Sequence, residues 1–225
     1  MSLTHPSPNF GERRGGQRPE LVVIHYTAMA SAAAALERLC DPTAEVSAHY
    51  LIDTDGTAFS LVAEDARAWH AGAGAWGGRS DVNSRSIGIE LANRGAEPFA
   101  ERQMAGLERL LADVMTRWAL PPQAVIGHSD MAPDRKGDPG IRFDWRRLAL
   151  QGLSVWPETV EAGGSGDFYT QARRFGYPDV GADAVLTAFR LRFRPWAEGP
   201  LDETDAALMA DLARRFSVDA GAAQA

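Results

Sequence analysis

Only one of the 225 residues is cysteine, Cys40, so no disulfide can form within the chain and its redox chemistry does not point to an oxidising compartment. Basic residues are in the minority, 23 Lys and Arg against 30 Asp and Glu, for a net charge of −7. Nucleic-acid affinity comes from clustered cations that displace counterions, and this balance argues against nucleic acid as a partner. No apolar run approaches the roughly 18 residues that span a bilayer. The opening residues, MSLTHPSPNFGERRGGQRPE, place Pro6 and Pro8 early, then charges at 12 to 14, and have no apolar core of a secretory signal; the expectation is a cytoplasmic chain without a transmembrane segment. Also missing are a GxSxG nucleophile elbow, a GxxxxGK[ST] phosphate loop and the second cysteine that a zinc deaminase pattern needs. Histidine is scarce too, five in all, so each can be weighed singly.

What remains is an ordinary globular composition, 45% hydrophobic and 24% charged, long enough to bury a core without metal or disulfide staples. Residues 21–27, LVVIHYT, form an apolar, β-branched run expected to be a buried strand with His25 near its end. Ser31 is placed to cap an alanine-rich helix over 32–39. Segments 48–52 and 57–62 flank Asp53-Thr54-Asp55-Gly56, a hairpin signal. SIGIEL, 86–91, is a strand candidate with one acid, Glu90. Apolar residues recur every three or four positions from Glu101 to Trp118, the pattern of an amphipathic helix, and 124–127 is a short strand ending at His128. Strands alternating with helices predict an α/β fold with a mixed central β-sheet flanked by helices. Residues 157–166, PETVEAGGSG, have the composition of a linker. Beyond them, helical spacing over 167–175, 183–193 and 204–216 predicts a small three-helix module, giving domains at 1–156 and 167–225.

The loop GHSDMAPDRKGDPG, 127–140, crowds a histidine, three aspartates, a lysine and an arginine between prolines and glycines. Its charges cannot be buried without partners. Two imidazoles and one carboxylate, leaving a fourth position for water, are the pattern of a catalytic zinc site, and His25, His128 and Asp138 are the candidate ligands. The alternative is a set of ordinary polar loop residues, because 103 positions separate the histidines and no short zinc motif is present.

Taken together, VVIHYTA (22–28), SAHYLIDTDG (47–56), RAWHAG (67–72), NSRSIGIEL (83–91) and GHSDMAPDRKGDPG closely resemble the zinc-dependent N-acetylmuramoyl-L-alanine amidases of type 2, the AmpD and AmiD family. The resemblance implies a sheet-and-helix fold related to peptidoglycan recognition proteins, one zinc per chain, and peptidoglycan or muropeptides as substrate. By the same carry-over His25, His128 and Asp138 match the zinc ligands, Glu90 the catalytic glutamate and Lys136 the catalytic lysine. A carboxylate beside a zinc-activated water can act as general base, and a cation near the developing oxyanion speeds acyl transfer. For Lys136 the plain alternative is a loop ion pair with Asp134.

His70, beside Trp69 on an expected loop, is a candidate contact to sugar or peptide. Trp76, Arg79 and Asn83 fall in the same loop-rich stretch, where binding residues collect, with Arg79 suited to a muropeptide carboxylate. His49 reads as a core residue or as one that orients a zinc ligand. The C-terminal helices resemble the peptidoglycan-binding appendage of the AmiD branch, with a packing extension as the alternative; Phe189 and Phe193 are expected in their core. That branch suggests an envelope protein, whereas the absent signal segment and lipobox cysteine favour the cytoplasm. Two rival functions are a catalytically silent peptidoglycan-binding protein and a metallopeptidase of the stem peptide.

Overall fold

The computed structural model describes residues 2–158 and 167–218, so most of the expected linker (159–166) and the last seven residues lie outside it. In chain order the elements are β1 (Leu3–Thr4), β2 (Phe10–Gly11), β3 (Leu21–Tyr26), α1 (Ala32–Cys40), β4 (Tyr50–Ile52), β5 (Ala58–Ser60), β6 (Arg67–Ala68), α2 (Val82–Arg85), β7 (Ser86–Leu91), α3 (Glu101–Trp118), β8 (Val125–Gly127), α4 (His128–Met131) and α5 (Trp145–Leu150). Three further helices follow, α6 (Phe168–Phe175), α7 (Ala182–Phe193) and α8 (Glu203–Arg215). Six strands make one mixed sheet in the order β1-β5-β4-β7-β3-β8, and the β4–β5 hairpin supplies its antiparallel pair. The expected fold class is the observed one.

β3 lies inside the sheet between two parallel neighbours, β7 and β8, and Leu21 to Ile24 are all buried, so the strand is covered on both faces and its run is apolar without alternation. β7 does alternate. Ile87, Ile89 and Leu91 share a buried cluster with Met104, Leu107, Leu111 and Val114 of α3. Ser86, Gly88 and Glu90 turn to the opposite face, as residues two apart in a strand must. In the β3–β7 register His25 stands beside Glu90. On this same face α1, capped by the Ser31 hydroxyl, packs through Ala32, Ala35 and Leu39 against Leu51. His25 and Glu90 thus sit near the carboxyl ends of parallel strands, and His128 directly follows a third, the location where open α/β sheets bind ligands.

Helices α6 to α8 have no core separate from the sheet. Phe168, Phe175, Tyr177, Phe189, Phe193 and Leu212 belong to the same buried cluster as Trp76, Met131 and Trp145. Phe189 and Phe193 are core residues, as expected. Polar contacts join these helices to α4 and α5 as well: buried Arg192 donates to Asp130 at 2.6 Å, the Tyr177 hydroxyl donates to the same carboxylate at 2.7 Å, and the Arg192 guanidinium lies 4.3 Å from the Trp145 ring centroid. Asp130 belongs to the one-turn helix that begins with His128. No helix among the described residues is long and apolar enough to cross a membrane.

Candidate metal centre

His25 at the end of β3, His128 at the start of α4 and Asp138 in the following loop converge from positions more than 100 residues apart. His25 Nδ1 is 2.9 Å from His128 Nδ1 and 2.9 Å from Asp138 Oδ2, and His128 Nδ1 is 3.0 Å from the same oxygen. All three residues are buried, and among the described residues they are the cluster that could hold a metal ion. Burial, followed by the charge of His128, lowers His25 to a pKa of about 4, so its imidazole is neutral at pH 7. Burial would raise the Asp138 carboxyl, but the neighbouring His128 and His25 outweigh it and hold the group below the usual carboxylate range.

The donor set fits a cation. His128 Nε2 lies 3.0 Å from the Ala71 carbonyl, which can only accept; the ring proton is therefore on Nε2 and the Nδ1 lone pair points at Asp138. A carboxylate oxygen and an imidazole lone pair facing each other at 3.0 Å repel unless something positive lies between them.

Glu90 borders the same cavity, of about 440 Å³, together with Tyr26, Arg38 and Lys136. Its Oε2 is buried with no hydrogen-bond partner. Burial, then the Asp138 charge, pushes the Glu90 carboxyl up to about 8 in the metal-free protein, while Lys136 pulls the other way. Lys136 is exposed at the cavity mouth, and no ion pair with Asp134 is found among the described residues. An adjoining cavity of about 540 Å³ shares Trp69, His70, His128, Arg135 and Lys136, so the two form a groove across the centre.

The N-acetylmuramoyl-L-alanine amidase family profile matches residues 15–141, more than half of the chain and all of this site. The chain belongs to that family. It is 34% identical over 242 residues to the N-acetylmuramoyl-L-alanine amidase AmiD of Escherichia coli, a match covering 90% of this chain and 85% of AmiD. The 1,6-anhydro-N-acetylmuramyl-L-alanine amidase AmpD of E. coli is 36% identical over 165 residues, covering 64% of this chain and 88% of AmpD. A solved complex of E. coli AmiD with the substrate anhydro-N-acetylmuramic acid-L-Ala-D-γ-Glu-L-Lys superposes with a TM-score of 0.78 at 32% identity, over 92% of this chain and 98% of that one.

Within this amidase, two of the sequence-based binding candidates lie elsewhere. Trp76 is 2% exposed, its ring packed edge-on against Phe175 and Tyr177 at 5.5 and 5.3 Å; it serves the core, not the groove. Arg79 donates to Glu20 at 2.6 and 2.9 Å and borders neither cavity of the groove. A loop rich in glycine and polar residues reads as surface even where one of its aromatics, here Trp76, is buried against distant residues. Asn83 does border the adjoining cavity, but its carboxamide oxygen accepts from the backbone N–H groups of His70 and Ala71 at 3.0 and 2.8 Å. His70 lines both cavities and touches His25 Nε2 at 3.0 Å. His49 is fully buried, accepts from the Gly88 N–H at 2.9 Å and is held down to a pKa of about 3 by burial and the Arg13 guanidinium, a core role. Arg38, Arg135 and Tyr26 were not singled out from the sequence; for Arg38 the helical wheel of α1, with Ala35 and Leu39 turned inward, was the available signal.

Proposed function

We propose that the chain hydrolyses the amide between the lactyl group of N-acetylmuramic acid and L-alanine in muropeptides and peptidoglycan, and that His25, His128 and Asp138 hold a zinc ion for that reaction. The observation that carries this reading is the buried His-His-Asp cluster beside an acid with an unpartnered oxygen, all opening into one groove. Two imidazoles and a carboxylate leave a coordination position open, as catalytic zinc sites do. When bound, zinc supplies Lewis-acid chemistry, acidifying water and polarising the amide carbonyl.

The chain's own groups do the rest. Glu90 takes the proton of the attacking water and returns it to the leaving amine, which departs neutral. Lys136, an exposed cation lining the cavity, stabilises the oxygen on which negative charge develops. Arg14, Arg38 and Arg135 border the groove and complement a substrate rich in carboxylates, consistent with the muropeptide in the AmiD complex. A silent binding protein would have no use for Glu90 and Lys136 assembled around an intact ligand set.

The deciding experiment is mass spectrometry of the products from anhydro-muropeptide and from intact sacculi. Release of the whole stem peptide with a free L-alanine amine is expected, and a shortened peptide still attached to sugar would indicate a stem-peptide peptidase instead. Chelation should abolish turnover and added zinc should restore it; turnover that persists after the protein is shown metal-free refutes the zinc reading. Lys136→Met is expected to lower kcat by about 10²–10³-fold, the usual loss for one oxyanion donor, with unfolding unchanged because the side chain is exposed.

A further inference from the structure

The outer hydrogen bonds of the centre run in one direction, and their direction can be read from their ends. Ser86 Oγ is 2.6 Å from the Val82 carbonyl, which can only accept, so the single hydroxyl proton is committed there. The hydroxyl lone pairs then accept from His70 Nε2 at 3.1 Å. A neutral imidazole with its proton on Nε2 has a bare Nδ1, and His70 Nδ1 stands 3.0 Å from His25 Nε2, which must be the donor. The proton of His25 is thereby placed on Nε2, and its Nδ1 lone pair is left facing His128 Nδ1 and Asp138 Oδ2.

We propose that His70 is a positioning residue of this amidase, which together with Ser86 sets the tautomer of His25 and so readies the centre for zinc; this rests on the zinc reading above. The local sequence is built for it. Ser86, Gly88 and Glu90 share one face of β7: Ser86 holds the far nitrogen of His70, Gly88 makes room for its ring, and Glu90 reaches the reaction site. A Cβ on Gly88 would lie 2.4 Å from the His70 ring. Asn83 grips the backbone N–H groups of His70 and Ala71, and the Ala71 carbonyl is the acceptor that fixes His128. One short segment, 82–88, therefore supports both histidine ligands. The arrangement is unusual in using a neutral imidazole, where metal-ligating histidines commonly donate to a carboxylate or a carbonyl.

The test compares full-length His70→Leu, His70→Asn and Ser86→Ala with the parent by competition for Zn²⁺ against a chromophoric chelator. His70→Leu is expected to weaken zinc binding by about 10–100-fold, the range for lost outer partners of metal ligands. His70→Asn, whose amide oxygen can occupy the place of Nδ1, should recover most of the affinity, and Ser86→Ala should fall between. Long-range ¹⁵N–¹H spectra of the zinc-loaded parent should show the protons of both His25 and His70 on Nε2. A proton on His70 Nδ1, or parent-like affinity in His70→Leu, overturns the proposal even if the amidase reaction stands. If His70→Leu does not fold, Ser86→Ala and the spectra decide the matter. A parent that binds no zinc overturns this proposal and the zinc reading together, whereas normal zinc affinities with an unexpected cleavage product overturn only the substrate.

Discussion

Glu90→Gln is expected to reduce turnover by about 10²–10⁴-fold, the usual worth of a positioned general acid–base, with zinc stoichiometry unchanged. The substitution keeps volume and one acceptor oxygen but removes the group that carries the proton from water to the leaving amine. Because Glu90 stands beside His25 in the β3–β7 register without being in the cluster of candidate ligands, metal content and activity should separate. A variant that retains parent turnover removes Glu90 from the mechanism; one that loses zinc makes it a ligand. The metal-free protein offers a second reading of the same residue. Its carboxyl is pushed from the ordinary 4.5 to about 8, first by burial and then by Asp138. The folded state therefore binds more protons than the unfolded state between those values, and this group's contribution to stability declines as pH rises through that window. In metal-free protein Glu90→Gln should be the more stable form at pH 8, with the difference shrinking toward pH 5. Denaturant midpoints at the two pH values measure it.

The candidate metal cluster was legible in the sequence through a family resemblance whose motifs do not extend to its surroundings. Short motifs shared with the family carried His25, Glu90, His128, Lys136 and Asp138 in order, and the fold brings His25, His128 and Asp138 into one buried cluster in a cavity that Glu90 and Lys136 also line. β7 could be read from SIGIEL and α3 from its spacing because strand and helix periods are local properties. Which polar partner meets which is not local. Nothing near position 79 reveals Glu20 as the partner of Arg79, and the partners of Trp76 lie 99 and 101 residues further on, at Phe175 and Tyr177. The two-residue strands β1, β2 and β6 were invisible for the same reason, since pairing partners define them and periodicity does not. The C-terminal helices were found nearly to the residue, but whether they pack on the amidase core depended on contacts that helical periodicity cannot report.

Those contacts set the second large effect. Asp130→Ala should destabilise the folded protein by about 3–5 kcal/mol, because it strips the carboxylate from Arg192, a guanidinium that is 2% exposed, and breaking one side of a buried pair leaves a charge without compensation. For a chain of this size that is a fall in Tm of roughly 6–20 °C. The loss is compounded by the other donors to the same carboxylate, the Tyr177 hydroxyl at 2.7 Å and the Gly127 N–H at 2.8 Å. Arg192 itself remains bonded to the Val125 carbonyl and the Ser154 hydroxyl at 3.0 and 3.2 Å, so its side chain stays in place with its charge unmatched. Arg192→Met in the Asp130→Ala background should therefore restore stability relative to Asp130→Ala alone, the sign that distinguishes an unpaired charge from a simple cavity. Asp130 lies two residues after His128 in the same turn of α4, so zinc affinity should fall with stability in Asp130→Ala. Tyr177→Phe, which removes one hydrogen bond and no charge, should cost only about 1–2 kcal/mol. If Asp130→Ala unfolds at the parent's denaturant midpoint, α6 to α8 are not clamped to the helix that presents His128. If the stability falls as stated, removing these helices cannot test wall binding alone, because the same cut takes away Tyr177 and Arg192.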